Sequence, residues 1–124
     1  MKNSIVITLD GHSACGKSTL AKMLSSQMGY KYIDTGAMYR AITLFFFNNN
    51  FIDSDGLLSN NAMEHLHEIN IGFSEIDHNN QSYVTLNGEI VESKIRNLAI
   101  SNLVSEVNKY KSIRKKMVQI QQSY

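Results

Sequence analysis

Proline is absent from this sequence and cysteine occurs once, so the chain has few fixed turns and no internal disulfide. The lone Cys15 fits a reducing compartment, and a cytoplasmic location is the expectation. Neither sign of charge is in excess. Twelve Lys and Arg against 11 Asp and Glu leave a formal net charge of +1, which argues against a protein built mainly to hold nucleic acid. Long apolar runs are missing too. The densest, Leu44 to Phe47, is far too short to span a bilayer, so no membrane association is expected. The N-terminus has one lysine and then a strand-like run, without a signal-peptide cleavage pattern. What is present is the composition of one globular domain, 43% hydrophobic and 19% charged over 124 residues.

The first third alternates between strand and helix signals. Ser4 to Leu9 reads S-I-V-I-T-L, a β-branched run suited to a buried parallel strand. From Lys17 to Met28 the apolar positions Leu20, Met23, Leu24 and Met28 recur at helical spacing, and Gly29 supplies the stop. Tyr30 to Ile33 is a second strand candidate, closed by Asp34-Thr35-Gly36. A helix is predicted from Ala37 to about Asn48, with Met38, Ala41, Ile42 and Phe45 on one face. Strand, loop, helix, strand, helix predicts an α/β fold with a parallel sheet.

Beyond residue 52 the character changes. Asp53-Ser54-Asp55 reads as a helix cap leading to about His67, with Leu57, Leu58 and Leu66 as apolar positions. Asn70 to Ser74, Ser82 to Leu86 and Glu89 to Val91 read as three short strands, with a polar turn from Asp77 to Gln81. Asn87-Gly88 is a two-residue hairpin signal, because both residues tolerate positive φ. A helix from Ser93 carries Ile100, Leu103, Val104 and Val107 on one face. A last helix from about Lys109 sets Ile113, Met117 and Ile120 against a polar side crowded by Lys111, Arg114, Lys115 and Lys116. Aromatics do not interleave with those cations, so a nucleic-acid module is a weak reading.

The chemistry is concentrated in two places. G-H-S-A-C-G-K-S from Gly11 to Ser18 fits G-x-x-x-x-G-K-[ST], with a predicted strand before it and a predicted helix after it. The predicted ATP cradle is Gly11, His12, Ser13, Ala14, Cys15, Gly16, Lys17, Ser18 and Thr19. Its two glycines let consecutive N–H groups turn towards phosphate oxygens. Lys17 sets an ammonium against the β- and γ-phosphates, and the Ser18 hydroxyl is the natural ligand for the Mg²⁺ that accompanies ATP. The start of the following helix adds its positive end. His12 and Cys15 read as variable loop positions rather than redox or catalytic groups.

The second place is Y-I-D-T-G-A-M-Y-R, Tyr32 to Arg40. A helix start with a threonine hydroxyl, free N–H groups and a nearby arginine makes a second phosphate site. In a parallel sheet both strand ends share one edge, so the two sites are expected to face one cleft. A donor nucleotide and a phosphorylated acceptor would suit it. Asp34 would either position a Mg²⁺-bound water or cap the helix that follows.

T-L-D-G-H-S-A-C-G-K-S-T-L-A-K, then Y-I-D-T-G-A-M-Y-R-A, then L-N-G-E-I-V with I-R shortly after, resemble the bacterial cytidylate kinases along essentially the whole chain. The resemblance implies a P-loop nucleoside monophosphate kinase fold, a parallel sheet flanked by helices with a small inserted antiparallel β/helical CMP-binding segment. It implies three parts: a P-loop core over 1–52, the acceptor-binding insert over 53–108, and the start of a return helix over 109–124. It also implies transfer of the γ-phosphoryl of ATP to CMP or dCMP, with Lys17 and Arg40 as catalytic residues. Thr35 and Arg40 would hold the acceptor phosphate, Ser105 would recognise the base, and Arg114 would meet the nucleotide's polar groups. Family members continue with a G-R-D strand and an arginine-bearing lid that this sequence lacks. The chain is therefore expected to be an N-terminal portion that binds without turnover, of a protein monomeric when complete. Two other readings remain: another P-loop small-molecule or nucleoside monophosphate kinase, or a non-catalytic ATP-binding fragment.

Overall fold

A computed structural model describes residues 17–28, 33–78 and 82–123 of the chain, which divides into two units, Met1–Ile33 and Asp34–Tyr124. In the first unit helix α1 runs Lys17–Met28, the span its spacing predicts. It contains no glycine or proline to weaken it. Leu24 is half-buried, whereas Leu20 and Met23 are 49% and 54% exposed. The strand predicted at 4–9, the loop at 11–16 and most of the strand predicted at 30–33 lie outside the described residues. Ile33 itself belongs to no strand.

The second unit is organised around helix α2, Thr35–Asn48. Residues Ala37, Met38 and Ala41 to Phe46 are all buried, so the helix is apolar on nearly every side and needs cover all round. Met38, Ile42 and Phe46 are fully enclosed, each contributing about 1.5–3 kcal/mol of transfer free energy. Thr43 is the polar member of this set, and its hydroxyl donates to the Tyr39 carbonyl at 2.8 Å. Phe45 meets Phe46 edge to face at 5.8 Å and lies 6.3 Å from Phe51.

After α2 the predicted helix from Asp53 is replaced by a tight loop. Asp53 Oδ1 accepts from the Asp55 and Leu57 N–H groups, both at 2.9 Å, and Ile52 bridges to Leu58. An Asp side chain that binds its own following backbone offers an alternative to the helix ladder. Gly56 makes the alternative permanent: it sits at φ +84°, against the side chain of Glu106. Leu57 is consequently 61% exposed rather than buried. Helical structure resumes only at Ala62–Glu68, as a 3₁₀ helix, where His65 stacks on Phe51 and pairs with Glu68.

Strands β1 (Ile71–Phe73), β2 (Val84–Leu86) and β3 (Glu89–Ile90) form an antiparallel sheet in the order β1-β2-β3. Ile71 pairs with Leu86 and Thr85 with Ile90. Alternation places Ile71, Val84 and Leu86 inward, with α2 against β1 and β2. The hairpin turn is as predicted, with Asn87 at φ 50° and Gly88 at φ 85°. Asn87 is also locked to Asn70 twice, donating its N–H to the Asn70 carbonyl and accepting the Asn70 N–H on Oδ1, each at 2.7 Å. Ser74 and Tyr83 continue the pairing past the end of the strands, Ser74 N–H donating to the Tyr83 carbonyl at 2.8 Å.

The single helix predicted from Ser93 is two helices. Short α3, Glu92–Ile95, stops at Arg96, and α4, Leu98–Val107, starts afresh. Asn97 causes the break: its backbone is extended at φ −78°, ψ 165°, and its Oδ1 accepts the Ile100 N–H at 2.9 Å. Helix α4 buries Ile100, Leu103 and Val107 and packs on α2. Helix α5, Lys111–Gln122, buries Ile113 and Met117, with Ile120 half-buried on the same side. Tyr110 precedes it, and its phenolic oxygen accepts the Leu58 N–H at 3.3 Å, tying the loop after α2 to the start of α5.

Candidate functional site

The sequence-predicted site residues fall in both units, and each group is described by itself. In the first unit the helix begins at Lys17, directly after the glycine-rich loop, so the N–H groups of its first turn have no intrahelical acceptor. No acidic residue stands in that turn to oppose an anion. Thr19 is exposed. Gly11, His12, Ser13, Ala14, Cys15 and Gly16 lie outside the described residues, as do the side chains of Lys17 and Ser18.

In the second unit Asp34 is the N-cap of α2. Its backbone is extended and its Oδ1 accepts the Ala37 N–H at 3.0 Å. That uses one of the free donors of the first turn and leaves those of Thr35 and Gly36, with the Thr35 side chain exposed. The cap carboxylate does not stand alone at the helix start. Arg96 Nη2 lies 3.6 Å from Asp34 Oδ2, while Arg96 Nε donates to Glu92 Oε1 at 2.9 Å. Burial opposes the charge on Arg96, but the bonds and charges of Glu92 and Asp34 outweigh it and hold its pKa above the ordinary value. The negative charge of Asp34 is thereby balanced close to where Thr35 presents its hydroxyl.

Arg40 lies further along the same helix and is half-buried. Its Nη1 donates to Ser101 Oγ at 2.6 Å and to the carbonyl oxygen of Ile95 at 3.2 Å. Ser105 is exposed on α4, one turn after Ser101, so the two serines share a face of that helix. Arg114 is exposed on α5, and its charge reaches Tyr39 on α2. Burial raises the Tyr39 pKa above 10.0, and the Arg114 charge pulls it back part of the way. Arg40 is thus tied to α4 by a direct bond, and Arg114 is coupled to the α2 residue next to Arg40.

Ser101, Tyr39 and Arg96 were not among the residues singled out from the sequence. Ser101 has a readable signal, standing four residues before Ser105 on one helical face. The Ile95 carbonyl has none, because any residue supplies that oxygen. A shallow cleft of about 320 Å³ between the 3₁₀ helix and α5, lined by Leu66, His67, Ser112, Lys115, Lys116 and Gln119, includes none of the predicted site residues.

A helix that begins at the lysine of a G-x-x-x-x-G-K-S sequence places the chain among P-loop proteins. The family model described as cytidylate kinase matches residues 7–124. The cytidylate kinase of Cytophaga hutchinsonii is 46% identical over 121 residues, covering 95% of this chain and 49% of the relative. Those of Flavobacterium johnsoniae and Bacteroides thetaiotaomicron are 42% and 40% identical, covering 95% and 96% of this chain and 51% and 52% of the relatives. The chain belongs to the cytidylate kinase family, and with it to the P-loop nucleoside monophosphate kinase fold. It spans about half the length of the curated relatives it matches. Among the described residues, no helix is long and apolar enough to cross a membrane.

Proposed function

We propose that this chain carries the donor loop and the first acceptor contacts of a kinase that transfers the γ-phosphoryl group of ATP to CMP or dCMP. The observation that carries the reading is the family match across residues 7–124, which spans both the phosphate loop and the Thr35–Arg40 segment. Each part has a physical role. The loop from Gly11 to Gly16 wraps the triphosphate with backbone N–H groups, and Lys17 neutralises the β- and γ-phosphates. Thr35 and Arg40 grip the acceptor phosphate at the start of α2, where Thr35 and Gly36 leave free N–H groups. Ser105 faces the base and Arg114 the nucleotide's polar groups.

Phosphoryl transfer asks for alignment and charge balance, because the attacking group is itself a phosphate oxygen and needs no strong base. A hydroxyl oxygen such as that of Ser18 is a hard donor of the kind Mg²⁺ accepts, and it would hold the ion together with the nucleotide phosphates and the waters that Mg²⁺ keeps. Bound with ATP, the ion neutralises charge on the donor phosphates. Asp34, with one oxygen on the Ala37 N–H and the other near Arg96, serves α2 as a cap.

The test is ADP formation by the full-length enzyme with CMP, dCMP, UMP and AMP in turn. CMP or dCMP should be preferred, and preference for UMP or AMP would refute the assignment. ATP binding by the 124 residues without CMP-dependent ADP formation would confine this portion to binding.

A further inference from the structure

We infer that Ser101 is a positioning residue that, with the Ile95 carbonyl, holds Arg40 so that one edge of its guanidinium faces an acceptor phosphate. This rests on the reading of Arg40 as a ligand of that phosphate. A guanidinium has five N–H bonds in one plane, two on each Nη and one on Nε. Arg40 Nη1 has two protons and makes two bonds, to Ser101 Oγ at 2.6 Å and to Ile95 O at 3.2 Å. Both are therefore committed. What remains is Nε–H and the two protons of Nη2. Nε–H and one Nη2 proton run parallel along the opposite edge, the fork that fits two oxygens of a phosphate. The bonds to the protein thus use the end of the guanidinium and leave its bidentate edge.

The two anchors are themselves fixed. Ile95 is fully buried at the end of α3, so its carbonyl cannot wander. Ser101 stands in the opening turns of α4 and donates its own N–H to the Asn97 carbonyl at 3.1 Å. Asn97 also caps that helix through the Ile100 N–H. The break between α3 and α4 is what allows both acceptors to reach one nitrogen: Ile95 lies before the break and Ser101 after it. A long arginine side chain loses rotamer freedom when it grips a ligand, and a guanidinium already held at one nitrogen has less left to lose.

Titration of CMP and of cytidine into the chain separates positioning from packing, since cytidine lacks the phosphate. Ser101→Ala should weaken CMP by roughly 3–10-fold, the scale of one hydrogen bond, and leave cytidine unchanged. Ser101→Thr, which keeps the hydroxyl, should restore CMP affinity. In an Arg40→Ala background, Ser101→Ala should have no further effect. Equal losses for CMP and cytidine, or a CMP affinity indifferent to Ser101→Ala while Arg40→Ala weakens it, would overturn the inference and leave the Arg40 reading standing. A CMP affinity indifferent to Arg40→Ala would overturn both. A second measurement needs no ligand: NMR of the Arg40 Nη groups should show slowed rotation about Cζ–Nη1 that Ser101→Ala speeds up. Rotation as free as in an exposed arginine would refute the restraint directly.

Discussion

Arg96 and Asp34 meet across the N-terminus of α2, Nη2 to Oδ2 at 3.6 Å, while the other carboxylate oxygen accepts the Ala37 N–H at 3.0 Å. One side chain therefore has two partners of unequal value. A side-chain N-cap is worth about 0.5–2 kcal/mol, whereas a partly exposed ion pair is worth about 0–1 kcal/mol. Asp34→Ala should lower stability by about 1 kcal/mol, and Asp34→Asn, which keeps a capping oxygen, by clearly less. Arg96→Ala should cost no more than a few tenths of a kcal/mol. Urea unfolding of the three variants checks the order. An Asn variant as unstable as the Ala variant would show that charge, not capping, carries the interaction.

Gly56 gives a second prediction. A Cβ placed there would stand 2.6 Å from the Glu106 Cβ and 2.5 Å from its Cγ, at a φ of +84°. Gly88 has a similar φ of +85° but nothing within 4 Å of its would-be Cβ. Gly88→Ala should therefore cost only the backbone strain, about 1–2 kcal/mol, and Gly56→Ala should cost more. Glu106→Ala should rescue Gly56→Ala only in part, because the Glu106 Cβ remains. Thermal denaturation of the set decides it, and equal costs at the two glycines would remove the loop–α4 contact from the explanation.

Tyr39 and Arg114 predict an alkaline effect. The folded-state pKa of Tyr39 is raised by burial, so the folded chain keeps its phenolic proton where the unfolded chain has lost it. Stability should be intact below pH 10 and fall as pH rises through the unfolded value towards the folded one. Tyr39→Phe should flatten that fall, as measured by urea midpoints between about pH 8 and 11. Arg114→Gln should raise the Tyr39 pKa further, because it removes the charge that lowers it. A ¹³C NMR titration of the tyrosines would show this, and an unmoved Tyr39 would mean that the two residues do not sense each other.

Lys17, the first residue of α1, follows the glycine-rich loop. In the full-length enzyme Lys17→Ala should abolish turnover while leaving the far-UV circular dichroism unchanged. Near-normal turnover would remove the loop from the chemistry.

Local signals were legible where one residue type has one structural use. Asn87-Gly88 gave its hairpin because few other turns demand positive φ twice in a row. Helix α2 was legible from its apolar spacing, although its burial on nearly all sides was not, since a periodic face shows one contact and not four. Asp53 is ambiguous in the sequence because an aspartate that binds the following backbone N–H groups looks the same before a helix as inside an Asx turn. Gly56, three residues on, was the discriminating signal. Asn97 escaped notice for the converse reason: its capping role lay in the middle of an apolar repeat that ran on without it. At the candidate site, the motif marks Arg40 as a candidate, but nothing in the sequence marks the groups that hold it. One is a backbone oxygen with no sequence signature, and the other is a serine on a helix whose start was placed too early.

The burial of α2 has a consequence for how Arg40 can be lost. A helix covered by β1, β2, α3 and α4 exchanges its central amide hydrogens with solvent only when the covering elements come away together. Arg40 sits on that helix, so its placement shares the opening equilibrium of α2 and the elements that cover it. Substitutions far from it, such as Gly56→Ala, should then change the fraction of molecules that present Arg40 rather than the geometry with which each presents it.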